Sequence, residues 1–244
     1  MEIICKNCHQ KYTGNYCNNC GQSTETHKIN WHFLWHDIQH GLLHFDKGIL
    51  YSLKQLFTRP GNSIREFIEG KRVNHFKPLS LVVVLATLYG VLYHYFKINL
   101  LPDVPAENLN YGDFNEWMST HFSWVTIATI PLFTLGTYIC FRNQGYNFVE
   151  YFVLNTFKAS QKLFAHILLF PLLIYFNGTE EIQKVTSFIY AVDIVLIFWT
   201  NIQFFNKISI VKAFFLSVLS HIIFLVCFLV FTAIIMILTG RLAV

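Results

Sequence analysis

Four cysteines near the amino terminus have the residue type and spacing best suited to chemistry in this chain. They form two C-x-x-C pairs, Cys5 with Cys8 and Cys17 with Cys20, separated by eight residues. Each pair can direct two thiolates at one tetrahedral ion, and the spacer is long enough for a short hairpin. The spacing predicts a closed, structural Zn²⁺ site, a zinc ribbon. A rubredoxin-like iron site is the alternative that four cysteines leave open.

A row of histidines with four-residue spacing follows the cysteines. The row is His32, His36, His40 and His44. It lies along one face of a helix predicted over residues 30–45, whose other face carries Trp31 and Trp35. One interpretation is that the row binds a metal or responds to pH. The other is that these are ordinary amphipathic residues of a helix lying in the membrane interface.

A third candidate site lies in the apolar part of the chain. Asp193 falls within an apolar stretch, where a carboxylate is costly and therefore a functional candidate. His166 and His221 could face it and form an ion or proton path. The alternative is that Asp193 lies near the outer end of its helix, where water or a neighbouring polar group satisfies it.

Composition indicates which elements must position these groups. Hydrophobic residues make up 54% of the 244 residues and charged residues 13%, so the chain is predicted to be an all-α polytopic membrane protein. The first 25 residues are polar, which predicts no signal peptide and a cytoplasmic amino terminus. Reducing cytoplasm would keep the four cysteines available for metal. Five transmembrane helices are expected near residues 79–96, 124–141, 163–176, 187–205 and 213–238.

The distribution of Lys and Arg predicts the orientation. Basic residues precede the first span and lie between the second and third and between the fourth and fifth, whereas the other loops are mainly acidic. The basic residues are Lys71, Arg72, Lys77, Arg142, Lys158, Lys162, Lys207 and Lys212. The positive-inside rule then places the amino terminus in the cytoplasm and the carboxyl terminus outside.

The segment between the ribbon and the first span contains several short motifs. Asp46 is placed to cap a helix over 47–58, which Arg59-Pro60-Gly61 ends. Ser63 and Glu66 have capping-box spacing for a third short helix, and Gly70 is placed to terminate it. Three regions follow: a zinc ribbon over 1–28, amphipathic juxtamembrane helices over 29–78, and a helical membrane domain over 79–244.

These motifs resemble a known family. The order of Tyr16-Cys17-Asn18-Asn19-Cys20-Gly21-Gln22, His44-Phe45-Asp46-Lys47-Gly48, Arg59-Pro60-Gly61, Gly70-Lys71-Arg72 and Phe76-Lys77-Pro78 is similar to that of the bacterial family catalogued as domain of unknown function 3667. The resemblance covers residues 5–90. It implies an integral membrane protein with a zinc ribbon, and no specific activity.

The expected function is that of a scaffold or regulatory protein of the bacterial cytoplasmic (inner) membrane. The alternative is a transporter or lipid-handling protein that uses the polar residues around Asp193. No HExxH, GxSxG, Walker or GxGxxG motif of the expected context occurs, so no enzyme activity is expected. The expected partners are the lipid bilayer, a protein bound by the ribbon and a second copy of the chain. Nucleic acid is not expected, because the segment that holds the cysteines, residues 5–20, has only Lys6 and Lys11 for phosphate contact.

Overall fold

The computed structural model describes residues 2–24, 26, 28–35, 48–99 and 111–238. The amino-terminal unit contains two short strands, β1 (Ile3–Ile4) and β2 (Lys11–Tyr12), which pair antiparallel. Residues 31–35 form a helical turn, and the Asn30 side chain accepts a hydrogen bond from the backbone N–H of Phe33 at 2.9 Å. The hairpin was predicted in the spacer between the cysteine pairs, but its two strands instead flank the first pair, Cys5 and Cys8.

Helices account for most of the remaining described chain. They are α1 (Gly48–Thr58), α2 (Pro60–Glu69), α3 (Pro78–Tyr95), α4 (Tyr111–Phe141), α5 (Phe148–Phe176), α6 (Ile182–Phe204) and α7 (Ile210–Leu238), with a 3-10 helix at Arg142–Gln144. Five of them, α3 to α7, are long and apolar enough to cross a membrane. The all-α polytopic prediction is confirmed. Only 17% of the apolar window of α7 is buried by protein, so most of this helix is left to contact lipid.

Helix α5 lies at the centre of the bundle, where it packs against α3, α4 and α6 and also contacts α1 and α2. The predicted third span near 163–176 is only its second half. In the first half, nearly every residue from Val149 to Leu163 is buried. Its polar residues bond to neighbouring helices, which a hydropathy window does not detect. Lys158 and Lys162 consequently lie inside a candidate span and not in a loop.

Local signals explain where several helices begin and end. Asn147 and Glu150 form a complete capping box at the start of α5. Gly70 ends α2 with a left-handed backbone (φ 116°), as predicted. The predicted capping box of Ser63 and Glu66 is wrong. Helix α2 begins at Pro60, which needs no N–H partner there, so Ser63 lies one turn inside the helix and is buried.

The juxtamembrane helices share one hydrophobic core with the spans. Leu53 and Leu56 of α1 and Ile64 and Phe67 of α2 are buried in the same cluster as the apolar residues of α3, α5 and α6. The ring of Phe57 also packs edge-on against that of Phe164 in α5, at 5.5 Å. Their apolar faces therefore contact the helical bundle.

Candidate functional site

The four cysteines of the ribbon converge as predicted. Their sulfur atoms all lie within 4.8 Å of one another. Two close contacts join one pair to the other: Cys5 Sγ lies 3.5 Å from Cys20 Sγ, and Cys8 Sγ lies 3.5 Å from Cys17 Sγ. Four thiolates at about 2.3 Å from one tetrahedral ion lie roughly 3.8 Å apart. The residues present fit one such ion, which would fill all four positions with sulfur.

The two halves of the ribbon repeat one backbone design. The N–H of Cys5 donates to Gln10 O at 2.9 Å, and the N–H of Cys17 donates to Gln22 O at 2.8 Å. In each half the residue after the second cysteine has a left-handed backbone; these are His9 (φ 62°) and Gly21 (φ 73°). His9 thus occupies the turn position that glycine occupies in the second half. Among the described residues, the cluster that could hold a metal ion contains only the four cysteines.

The protein environment affects the two cysteines of the first pair differently. Burial raises the pKa of the Cys5 thiol to about 11. Hydrogen bonds from the Gln10 backbone and the Asn19 side chain lower the pKa of Cys8 to about 6. A bound dication would favour the thiolate at both positions, so metal binding here would release protons.

The ribbon is hydrogen-bonded to the rest of the protein. The buried side chain of Gln22 accepts a hydrogen bond from the backbone N–H of Arg72 at 3.1 Å. Arg72 lies just after α2, and its guanidinium stacks on Phe33 and Phe67 with ring distances of 4.6 and 5.6 Å. On the other side, Asn147 Nδ2 donates to Ile29 O at 3.0 Å. The ribbon is thereby tied to the segment before the first span and to the start of α5.

Helix α2 is in turn fixed to the end of α6. A Cβ atom at Gly61 would lie 2.3 Å from both Phe204 N and Thr200 O, so only glycine permits this approach. Arg65 donates from one guanidinium nitrogen to Gln203 O at 2.8 Å and Phe204 O at 3.0 Å. These carbonyls lack partners within α6, and a cation at a helix C-terminus is also favoured by the helix dipole.

An ion-pair network stabilises the turn between α1 and α2. Both Glu66 oxygens accept hydrogen bonds from Arg59, at 3.1 and 2.7 Å, and Lys71 Nζ lies 3.5 Å from Glu66 Oε1. Burial opposes ionisation of Glu66, but the two cations outweigh it and hold the pKa of this carboxyl below its usual value. Glu66 therefore links the residue before α2 to the segment after it.

The histidine row falls largely outside the described residues. His32 is described and exposed, whereas His36, His40 and His44 lie outside the described residues. Within the helical turn, Leu34 is buried and the flanking Trp31 and Trp35 remain 63% and 61% exposed. Whether the row acts together stays a prediction.

Asp193 and His166 meet inside the helical bundle. Asp193 Oδ1 lies 2.9 Å from His166 Nε2, and Asp193 Oδ2 lies 3.6 Å from Lys162 Nζ. Asp193 is buried and stands at the midpoint of α6, eleven residues from either end. The alternative that placed it near the outer end of its helix is wrong, because α6 begins five residues earlier than predicted. Its neighbouring polar groups do satisfy it.

His221 is not bonded to Asp193. Its Nε2 lies 2.7 Å from the hydroxyl of Tyr190, one turn before Asp193 on α6. The other polar residues of the spans bond across the bundle in separate pairs: Asn201 donates to Ser217 Oγ at 3.0 Å, and Thr137 Oγ1 lies 3.3 Å from Ser220 Oγ. The polar residues that were predicted to face Asp193 are thus divided: His166 contacts it, whereas His221 belongs to a separate contact.

The region of α1, α2 and the first part of α3 is similar to a known protein family. Residues 46–90 match the model of the family described as Protein of unknown function (DUF3667). The match confirms the resemblance across α1, α2 and the first part of α3. Neither a search of curated proteins nor a search of solved structures finds a match to this chain.

Two lysines of α5 were not identified from the sequence as candidate site residues. Lys158 and Lys162 were assigned to the segment between the second and third spans, whereas both lie inside the third candidate span, where Lys162 pairs with Asp193 and Lys158 donates to Asn155 Oδ1 at 3.0 Å. A signal was present, since Lys158, Lys162 and His166 recur every four residues and so share one face of a helix. Lysines at this spacing inside a helix that begins with a capping box indicate a buried polar face.

Proposed function

We propose that this protein is a membrane scaffold or regulatory protein whose amino-terminal module is a structural zinc ribbon. The observation that carries the proposal is the contact between Gln22, on the second turn of the ribbon, and the backbone of Arg72 beside α2. Helix α2 in turn caps the end of α6 through Arg65. A change in the ribbon, through metal or a bound partner, would thereby reach a membrane helix. The proposal assigns no catalysed reaction.

Zinc is the metal that we assign to the four cysteines. Four thiolates leave no open position for water or substrate, which suits a structural ion, and zinc is the commonest metal in such a site. The ribbon is small and mostly polar, with a core made of cysteines, Tyr12 and Ile3, so it needs the ion to fold. Rubredoxin-like iron is the alternative, with a visible absorption spectrum that zinc lacks.

Elemental analysis of purified full-length protein tests the metal. We expect one zinc per chain in the wild type and a near-complete loss in a Cys17→Ser, Cys20→Ser double variant. A Cys140→Ser, Cys227→Ser double variant is the matched control, because these cysteines lie on α4 and α7 and should leave zinc unchanged. A zinc content near zero in the wild type, or equal zinc in both double variants, would contradict the assignment.

Coupling between ribbon and membrane helices needs a separate measurement. Hydrogen exchange of the amides at the end of α6 and in α2 can be followed with and without a zinc chelator. We expect chelation to increase exchange in both, because the ribbon holds Arg72 and thereby α2. Unchanged exchange at α2 and α6 after verified zinc removal would leave the ribbon structural but uncoupled.

We place the protein in the bacterial cytoplasmic membrane, with the ribbon on the cytoplasmic side and the carboxyl terminus outside. Support comes from the basic residues flanking the candidate spans; without Lys158 and Lys162, these are Lys71, Arg72, Lys77, Arg142, Lys207 and Lys212. A cysteine introduced at Gly178, between α5 and α6, should react with an impermeant reagent added to intact cells. One introduced at Lys207 should react only after permeabilisation, and the opposite result would reverse the orientation.

The partners in this proposal are the bilayer, a protein that binds the ribbon and a second copy of the chain. The ribbon exposes Ile4 and Tyr16, at 61% and 65%, which suits a protein surface better than nucleic acid. Crosslinking in membranes, followed by separation by mass, would distinguish a second copy from another protein.

Transport or lipid handling is the second candidate function. Its specific support is the cluster of Asp193, His166 and Lys162 at the middle of α5 and α6, where charged groups are costly. Proton flux into liposomes that contain the purified protein tests it. Flux that Asp193→Asn abolishes would favour transport, and equal flux with and without protein would reject proton transport.

A further inference from the structure

The buried cluster on α5 carries more positive than negative charge. Lys158 is only 4% exposed, and its Nζ donates a hydrogen bond to the neutral side chain of Asn155. Lys162 pairs with Asp193. With His166 and His221 neutral, two ammonium groups and one carboxylate leave a formal excess of one positive charge.

Other acidic side chains of the candidate spans do not compensate this excess. Apart from Asp193, the five spans contain one acidic residue, Glu150. Glu150 accepts a hydrogen bond from the backbone N–H of Asn147 at 2.8 Å at the start of α5. It stands eight residues before Lys158, or about 12 Å along the helix. A buried charge without a partner is costly, so Lys158 must either be neutral or have an anionic partner.

A cavity lies beside the two lysines. Its volume is about 30 Å³, and its lining includes Thr126, Thr129, Phe133, Asn155, Lys158 and Lys162. Since one water needs roughly 10–15 Å³ of cavity volume, the cavity has room for about two waters, or for one halide ion in their place. Organic anions and phosphate are too large for it.

The lining also has the chemistry that a small anion requires. Lys158 Nζ has three N–H groups, of which one is donated to Asn155 Oδ1. Lys162 Nζ lies 3.6 Å from its carboxylate, longer than a direct hydrogen bond, and 5.1 Å from the centre of the Phe133 ring. Both ammonium groups therefore retain donors. Thr129 does not add one, because its hydroxyl donates to Thr126 O at 2.7 Å. We propose that this cavity between α4, α5 and α6 binds one monovalent halide, held mainly by Lys158 and Lys162.

The proposed halide site and the proposed zinc site involve different residues, so an experiment can reject either proposal without rejecting the other. Thermal unfolding of the full chain in detergent, in sodium bromide or sodium gluconate at equal ionic strength, tests it. Bromide should raise the unfolding midpoint in proportion to the logarithm of its concentration above the dissociation constant, by roughly 3–5 °C at ten times that constant, whereas gluconate should not. Equal midpoints in the two wild-type series would overturn the proposal without recourse to any variant, and would indicate a neutral Lys158.

Variants then locate the bound ion. Lys158→Met should lose the bromide-specific rise, while Lys158→Arg should keep most of it because the charge remains. The matched control is Lys212→Gln, an exposed lysine near the start of α7 that should respond like the wild type. A full bromide response in Lys158→Met would place the ion elsewhere and reject this site.

Discussion

Protonation of His75 should destabilise the contact between the juxtamembrane helices and the bundle. His75 lies between α2 and α3, outside the candidate spans, and the rings of Tyr51, Phe67 and Phe157 surround it at 5.1, 5.6 and 6.4 Å. Its Nε2 lies 3.5 Å from Ser63 Oγ. Burial lowers the pKa of His75 from 6.5 to about 4, the pull of the Glu66 carboxylate being too weak to compensate.

The direction and size of the effect follow from this pKa. A histidine whose pKa is lower in the folded state contributes stability above the unfolded pKa, and that contribution is lost as the pH falls from 6.5 towards 4. A difference of about 2.5 pKa units corresponds to roughly 3 kcal/mol at most. The wild-type unfolding midpoint should therefore fall more steeply between pH 7 and pH 4.5 than that of a variant without this imidazole.

His75→Phe is that variant, because a phenyl ring suits the aromatic surroundings and does not titrate. Loss of metal from the cysteines at low pH affects both proteins equally, so the difference between their curves isolates His75. A second control, His32→Phe, removes an exposed histidine and should follow the wild type. Parallel curves for wild type and His75→Phe over this pH range would refute the argument.

Two substitutions test the contacts within the bundle. Gly61→Ala should lower the free energy of unfolding by about 2–3 kcal/mol and loosen α2, because the new Cβ would lie 2.3 Å from the backbone of α6. The control is Gly178→Ala, whose Cβ would meet nothing within 4 Å and which should lower it by about 1 kcal/mol. Asp193→Asn should lower the free energy of unfolding by about 3–5 kcal/mol, because it leaves Lys162 inside the bundle without its carboxylate. The control is Glu181→Gln, which breaks an exposed ion pair and should lower it by less than about 1 kcal/mol. Unfolding midpoints of purified variants measure each comparison, and equal losses within either pair would contradict it.

Several features that depend on near neighbours were predicted correctly from the sequence, although the capping box of Ser63 and Glu66 was not. The cysteine pairs, the end of α2 at Gly70 and four of the five spans follow from short-range spacing or from local hydropathy. The roles of Gly61 and Arg65 were not predictable in this way. They depend on the approach of α2 to α6, about 140 residues later in the chain. Without a second sequence or a structure, Arg59-Pro60-Gly61 indicates only a turn.

The polar residues of α5 show why the bundle was harder to predict than the ribbon. Hydropathy treats Asn155, Lys158 and Gln161 as evidence against a buried helix, but each is bonded inside the protein: Gln161, for example, donates to Leu56 O and accepts from Thr200 Oγ1 at 2.9 Å. In the low dielectric of the bundle such bonds are costly to break, so they fix how α5 meets α1 and α6. Polar groups that are fully bonded in this way can be structural. Lys158 differs because its charge has no opposite charge among the described acidic side chains, and this imbalance distinguishes the proposed halide site from the structural contacts around it.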